Sequence, residues 1–412
     1  MKITGVLVDY LVDVAPHIYA GFVVYEKGKR VLYVVVTRAI YGMLISALVW
    51  YKKFRADLED EDFVFNPYDA CVANRIVDGK QHTIRFHVDD LMSSHVDKRV
   101  NDKFFHWLQN KYGEHKAVDE HRGPKHDYLG VNYIFHKGYL EIDTRAYVQD
   151  MLDTFPMKFD ADTKCSNPAK GTLFETGNTA DLPKDQANLF HTMVAKGLYV
   201  CKRGRPDIQP VIAVLCTRVR KPTKHDWDAL VQLMKFLFVT RNDTRKIDTT
   251  QSLAVQNWMI DASFAVHPDF KSHTGAVNTG SNLKGGALQT ISRKQKLNTK
   301  SSTEAELVAV DDVIVLVLWT MYFLREQGYE VTKNIIHQDN KSAMLLENNG
   351  KSSSGQRTRA LNIRYFYVTD QVIRGNVVIE YYPTDQMMGD YKTKPLQGRI
   401  FNRWRDAIMN SG

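Results

Sequence analysis

Two adjacent aspartates, Asp89 and Asp90, close the apolar run RFHVDDLM (85–92). Paired carboxylates leaving a β-hairpin turn repel one another, so the arrangement is costly unless a cation lies between them. Hard oxygen ligands of this kind suit Mg²⁺. A second acidic run, VLVDYLVDV (6–14), reads as a strand and offers Asp9 and Asp13 as partners. Two strands presenting carboxylates to two Mg²⁺ ions would suit phosphoryl transfer. An isolated Asp-Asp pair is also an ordinary turn, so this dipeptide needs context.

The second half carries another acidic set. NWMIDASF places Asp261 in or just after an apolar strand, and SSTEAELVAV opens a long helix with Glu306 in its first turns. IIHQDNKSA sets Asp339 at a strand end, and MMGDYKTKPL sets Asp390 in a late helix. Acids from a strand, a helix start, a second strand end and a distant helix are suited to converge on two Mg²⁺ ions. Such a site hydrolyses a phosphodiester by activating water in line with the leaving 3′ oxygen. Each acid also has a purely structural explanation. Thr303 and Glu306 fit a capping box, Asp261 fits a turn, and Asp390 fits a solvated helix face. Glu304 reads as a partner of the helix dipole.

The elements that must position these acids fall into three parts. Residues 1–155 mix β-rich and helical runs: strands at 31–36, 83–88 and 128–135, helices at 39–58 and 98–111. Residues 156–250 begin with the connector SNPAKGTLFETGNTADLPKD, turn helical over 189–240, and end in a turn-rich join at 241–250. Residues 251–412 follow an αβ order. Strands are predicted near 253–261, 272–279, 285–292, 334–338 and 377–382, with helices at 304–327, 340–348 and 363–374 and a final helical stretch.

At 412 residues, two or three domains are expected, and 44% hydrophobic with 25% charged residues excludes a wholly disordered chain. The net charge of +8 is concentrated. From Lys196 to Lys224 there are eight Lys/Arg (196, 202, 203, 205, 218, 220, 221 and 224) against one acid, Asp207. This reads either as a solvated helical face or as a polyanion-binding surface. Cys71, Cys165, Cys201 and Cys216 make no CxxC pair, so a disulfide framework or structural zinc site is not expected. The N-terminal run is wrong for a signal peptide, and the most apolar helix segment, Val313 to Leu324, has 12 residues, short of a bilayer span. A soluble intracellular protein is the expectation.

The ordered set LVDV (11–14), AIYGMLISALVWY (39–51), NPYDACV (66–72), HVDDL (87–91) and YLGVNY (128–133) resembles the reverse transcriptase of copia-type LTR retrotransposons. DASFA, SSTEAE, DNKSA, RTRALNIRYFY and GDYKTKPL, in order over about 140 residues, resemble the ribonuclease H domain of the same family. The resemblance implies an α+β chain: polymerase palm (1–155), basic thumb/connection (156–250), and a ribonuclease H-like α/β domain (251–412) with a mixed five-stranded sheet and helices. It implies Asp13, Asp89 and Asp90 as catalytic, metal-binding residues of nucleotidyl transfer. Asp261, Glu306, Asp339 and Asp390 would be those of RNA cleavage in RNA–DNA hybrids. Mg²⁺ (or Mn²⁺) is the implied cofactor. RNA template, DNA primer, RNA–DNA hybrid and deoxynucleotides are the implied partners. Lys196, Lys202, Arg203, Arg205, Arg218, Arg220 and Lys221 would contact phosphates.

Several positions depart from the family's pattern. His87 replaces a Tyr, Ile18 stands where an aromatic lies against the nucleotide sugar, and Leu44 and Ile45 replace a polar pair. Ala360 replaces a histidine, and little chain precedes Asp13 for a fingers region. The polymerase half is therefore expected to be incomplete and the nuclease to be the surviving activity. The alternative is a catalytically decayed remnant that only binds nucleic acid.

Overall fold

The computed structural model describes residues 1–37, 40, 43–177, 179–350 and 364–411, in two compact units. Ala360 and the basic loop 351–359 lie outside the described residues, as do positions 39, 41 and 42.

The first unit comprises 1–65 and 71–101. β1 (Lys2–Thr4) leads into α1 (Val6–Val14), the short α2 (Pro16–Tyr19), then β2 (Val23–Glu26) and β3 (Lys29–Tyr33). These strands form a sheet of order β1-β3-β2. The expected strand over 6–14 is thus a helix. Gly5, at φ 73°, turns the chain out of β1, and the nearly continuous apolar run satisfies the helical period as well as the strand period. α3 (Leu44–Glu59) precedes the sheet β4 (Val64–Asn66), β5 (Asp69–Val77), β6 (Lys80–His87) and β7 (Asp90–Ser94), which pair in that order. Phe54 of α3 meets Phe86 of β6 edge-on, ring centroids 5.0 Å apart, with Leu58 and Ile84 buried beside them.

The second unit comprises 66–70 and 102–412. It cuts the chain differently from boundaries at 155 and 250, because the basic helices share one apolar core with the C-terminal sheet. α4 (Lys98–Tyr112) is followed by β8 (Lys125–Tyr128), β9 (Val131–His136) and β10 (Tyr139–Asp143). The single strand expected over 128–135 is a hairpin, because Leu129 and Gly130 both take positive φ (55° and 70°). Two such residues make the tight turn that matches strand twist. Helices α5 (Arg145–Thr154), α6 (Lys184–Arg203), α7 (Gln209–Cys216) and α8 (Lys224–Val239) follow. The expected turn-rich join contains β11 (Arg245–Asp248), which pairs antiparallel with β10. Its charged sequence, RKID, has no apolar alternation to announce a strand.

β12 (Val255–Ser263), β13 (His273–Asn278), β14 (Gln289–Lys294), α9 (Ser302–Glu326), β15 (Lys333–Gln338), α10 (Lys341–Asn349), α11 (Arg364–Ile373), β16 (Val378–Tyr381), α12 (Asp390–Thr393) and α13 (Gly398–Met409) complete the chain. The sheet order is β14-β13-β12-β15-β16, with β12–β13 and β13–β14 antiparallel and β12–β15 and β15–β16 parallel. This mixed five-stranded sheet with helices is the ribonuclease H-like arrangement.

β12 is buried on both faces. Trp258, Ile260 and Ala262 alternate toward a core shared with Ala309, Val313 and Val317 of α9. Met259 packs instead with Phe190, Leu237, Tyr391 and Trp404. α9 has 25 residues, not the 12 of its most apolar stretch, and by length and composition alone it is long enough to cross a membrane. Its apolar stripe is spent on the sheet.

Candidate metal centre

Parallel pairing of β12 with β15 holds Val255 opposite Lys333 and Met259 opposite His337. Two residues beyond the last pair stand Asp261 and Asp339, so one register sets both carboxylates at the same end of adjacent strands. Strand ends in open α/β sheets are where ligands bind, since the chain there departs from the ladder.

Glu306 arrives from α9. The capping box that is the alternative role for Thr303 and Glu306 does not form. Ser301 is the N-cap, accepting from the Glu304 backbone N–H at 3.2 Å, while the Glu304 carboxylate accepts from Lys300 N–H at 2.7 Å. Glu306 is therefore released from capping and turns into the unit, 5% exposed. One carboxylate oxygen from each of Asp261, Glu306 and Asp339 lies within 4.8 Å of the other two. Gln338, fully buried, braces the group. Its amide oxygen accepts from the backbone N–H groups of Asp339 and Asn340 at 2.9 and 3.0 Å, and its amide nitrogen faces Glu306 at 3.4 Å.

Asp390 begins α12, which presses against β12 and β13 because two glycines let it. A Cβ on Gly275 would meet Thr393 Cγ2 at 2.6 Å, Lys392 Cβ at 2.7 Å and the Gly389 carbonyl at 2.9 Å. A Cβ on Gly389 would sit 2.9 Å from that of Asp261. The close approach brings the Thr393 hydroxyl onto Asp261 Oδ2, to which it donates. It also brings in Lys394, whose Nζ is 2.5 Å from Asp390 Oδ1 and 3.9 Å from Asp261 Oδ2. Asp390 is thus linked to Asp261 through Lys394. Sequence reading missed Thr393, Lys394, Gln338 and both glycines. The Asp390/Lys394 spacing of four was a usable signal.

Burial dominates the electrostatics. Desolvation raises the Asp261 carboxyl to about 7, with Asp390 and Asp339 adding to the rise and Lys394 and Thr393 opposing it. Glu306 is pushed well above the usual carboxylate range by desolvation first and then by Asp261 and Asp339. Two buried acids that are costly to ionise beside a third make an oxygen-only donor set whose ionisation a hard cation would favour. The residues present therefore fit Mg²⁺ or Mn²⁺.

The first unit presents its acids differently. Asp13 lies exposed on α1, and Asp9, one turn earlier, pairs with Arg30 Nη1 at 2.5 Å. Asp89 and Asp90 are exposed at the β6–β7 hairpin, where His87 pairs with Asp90 across a Val88-Asp89 turn. Val88 takes φ 55°, costly for a β-branched residue, and Trp50 Nε1 donates to its carbonyl at 2.7 Å. Among the described residues, the triad of Asp261, Glu306 and Asp339 is the one group of three or more potential metal ligands this close together.

The seven expected phosphate contacts divide. Lys202 and Arg220 are exposed, and Arg203 is half-buried over the Tyr199 ring. Lys196 pairs with Asp150 at 2.7 Å and Lys221 with Asp181 at 3.1 Å. Arg218 reaches the Phe174 carbonyl at 3.3 Å. Arg205 cannot serve. It is fully buried, with a forked pair to Asp207 at 2.9 and 2.8 Å and a bond to Thr240 O at 3.1 Å. The tight turn at Pro206–Ile208 sets Asp207 two residues away, so the buried guanidinium is charge-paired and not left uncompensated.

Comparison with known proteins finds distant similarity along nearly the whole chain. It is 24% identical over 397 residues to the retrovirus-related Pol polyprotein from transposon TNT 1-94 of Nicotiana tabacum, covering 92% of this chain and 28% of that one. To the transposon Ty1-BR Gag-Pol polyprotein of Saccharomyces cerevisiae it is 22% identical over 391 residues, covering 89% and 21%. The chain thus spans about a quarter of the length of these curated relatives. No protein-family model matches it. Among solved structures, the foamy viral protease–reverse transcriptase in complex with RNA/DNA hybrid aligns at 11% identity and TM-score 0.48, covering 92% of this chain and 42% of that one.

Proposed function

We propose that the second unit is a ribonuclease H that cleaves the RNA strand of RNA–DNA hybrids, within a reverse transcriptase/ribonuclease H segment of a copia-type retrotransposon polyprotein. The observation that carries the reading is the convergence of Asp261, Glu306 and Asp339 within 4.8 Å, at the strand ends of a ribonuclease H-like sheet. Magnesium or manganese, if held there by Asp261, Glu306 and Asp339, would supply Lewis acidity for water activation and for charge developing on the leaving 3′ oxygen. The chain's own part is to hold the acids. The β12/β15 register aligns Asp261 with Asp339, α9 delivers Glu306, and α12 delivers Asp390. Burial keeps Asp261 and Glu306 poorly solvated as anions, so a cation is worth more to them than water. Exposed Lys202 and Arg220, with Arg203, are the candidates for gripping hybrid phosphates, which gives position without base preference.

Cleavage of a labelled hybrid in Mg²⁺ by the parent, abolished in Asp339→Asn, is the expected result. Salt-sensitive hybrid binding with no cleavage by either protein would instead mark a remnant that only binds nucleic acid.

For the first unit, one observation favours nucleotidyl transfer at Asp89 and Asp90: the strained Val88 turn, held by Trp50, on which both acids are displayed. Primer extension with deoxynucleotides on an RNA template, lost in Asp89→Asn and Asp90→Asn, tests it. Asp13, on a helix, is the weakest member of that set.

A further inference from the structure

We propose that Lys394 is a built-in counter-cation of the acidic site, holding Asp390 beside Asp261 until an incoming divalent ion displaces its ammonium group. The inference rests on the metal-site reading above and adds how that site is regulated.

Lys394 stands at the C-terminal end of α12, its backbone N–H bonded to Asp390 O at 3.0 Å. Its side chain folds back to meet Asp390 Oδ1 at 2.5 Å and approaches Asp261 Oδ2 at 3.9 Å. No other Lys, Arg or His among the described residues is paired with any of the four site acids. One ammonium therefore faces two of four carboxylates. The geometry also provides a way out: the Lys394 side chain is 41% exposed, whereas that of Asp261 is 3% exposed. The charged end can swing to water while the buried acid cannot. A divalent ion brings twice the charge and more coordination sites than an ammonium, so the exchange favours the metal once its concentration suffices. Without metal, the lysine relieves repulsion that would push α12 off the sheet, because Asp390 and Asp261 are brought close by the glycine contacts of Gly275 and Gly389.

The test is Mg²⁺ alone, with no nucleic acid, titrated against the full chain and followed by thermal unfolding and by calorimetry. Parent, Lys394→Met, Lys394→Gln, Lys394→Arg and Asp261→Asn are compared. Removing the ammonium should lower the Mg²⁺ midpoint by about 3- to 5-fold, the scale of a solvent-screened ion pair. In metal-free buffer Lys394→Met and Lys394→Gln should melt below the parent, with the gap closing at saturating Mg²⁺. Lys394→Arg should keep the parent's metal-free melting temperature. The glutamine variant guards against a folding defect peculiar to methionine. A midpoint unchanged or raised in both neutral variants, with Mg²⁺ still stabilising the parent, overturns the counter-cation role. If Mg²⁺ stabilises the parent no more than Asp261→Asn, the metal centre itself falls, and the role of Lys394 with it.

Discussion

The two acidic clusters of this chain look alike in sequence, each with aspartates at the ends of apolar runs, yet the structure treats them oppositely. In the first unit, Asp89 in a two-residue turn and Asp90 just after it are exposed to solvent, and Asp13 sits on a helix. In the second, Asp261 and Glu306 are drawn below the surface and held with Asp339 within 4.8 Å. An exposed carboxylate is solvated and needs no cation. A buried set ionises only at a cost unless a cation is near, and that cost is what makes a candidate metal centre legible.

The sharpest break of this contrast is catalytic. Asp261→Asn or Asp339→Asn should cut hybrid cleavage by at least ~100-fold, the consequence of losing several kcal/mol of charge stabilisation. Asp89→Asn and Asp90→Asn should leave that cleavage unchanged in the same assay.

Next in size is Arg205→Met. It strands a buried aspartate with only Arg405, 2.9 Å away, to hold it. A loss on the order of 3 kcal/mol in denaturant unfolding is expected, because one partner of a buried pair has been removed. Gly275→Ala should follow, at about 1–3 kcal/mol, because its Cβ drives against α12. The same variant should weaken Mg²⁺ stabilisation, which an ordinary core defect would leave alone.

A pH effect comes after these. The Asp261 carboxyl is raised to about 7 in the folded chain, above its unfolded value. Its contribution to metal-free stability is thus fully present below about pH 4 and is lost as pH rises through about 7. Metal must displace that proton, so the gain in melting temperature on adding Mg²⁺ should grow across the same window and fade below about pH 7. Smallest are Lys202→Ala and Arg220→Ala, each expected to reduce the salt slope of hybrid binding by about 1 with little change in unfolding.

Much of the second unit could be read from its sequence because long periodic segments carried the signal. The apolar stripe of α9 and the alternation of β12 located Glu306 and Asp261, and a strand ending in Gln338 located Asp339. The failures have common physical causes. The run at 6–14 satisfied both strand and helix periods, and Gly5 decided between them. Gly130, the one cue to a turn inside 128–135, was outweighed by the apolar residues around it. β11 escaped because its pairing partner, β10, lies a hundred residues upstream. Arg205 looked like part of a basic surface because a charge count that includes Asp207 does not show that the two are paired and buried. Apart from the Asp390/Lys394 spacing, Lys394 and Thr393 gave no signal of their own, because their roles arise from the close packing of α12 that brings them onto Asp390 and Asp261.

The β12/β15 register has a further consequence, in time and not in space. Asp261 and Asp339 are 78 positions apart, and α12, which completes the cluster, lies 51 positions beyond Asp339. Closing such loops costs entropy before any contact rewards it, so these pairings are expected to form late. Pulsed hydrogen exchange should find β12 and β13, which pair locally, protected before β15. An emerging chain would then carry a finished β12–β13 hairpin well before it carries a finished acidic cluster.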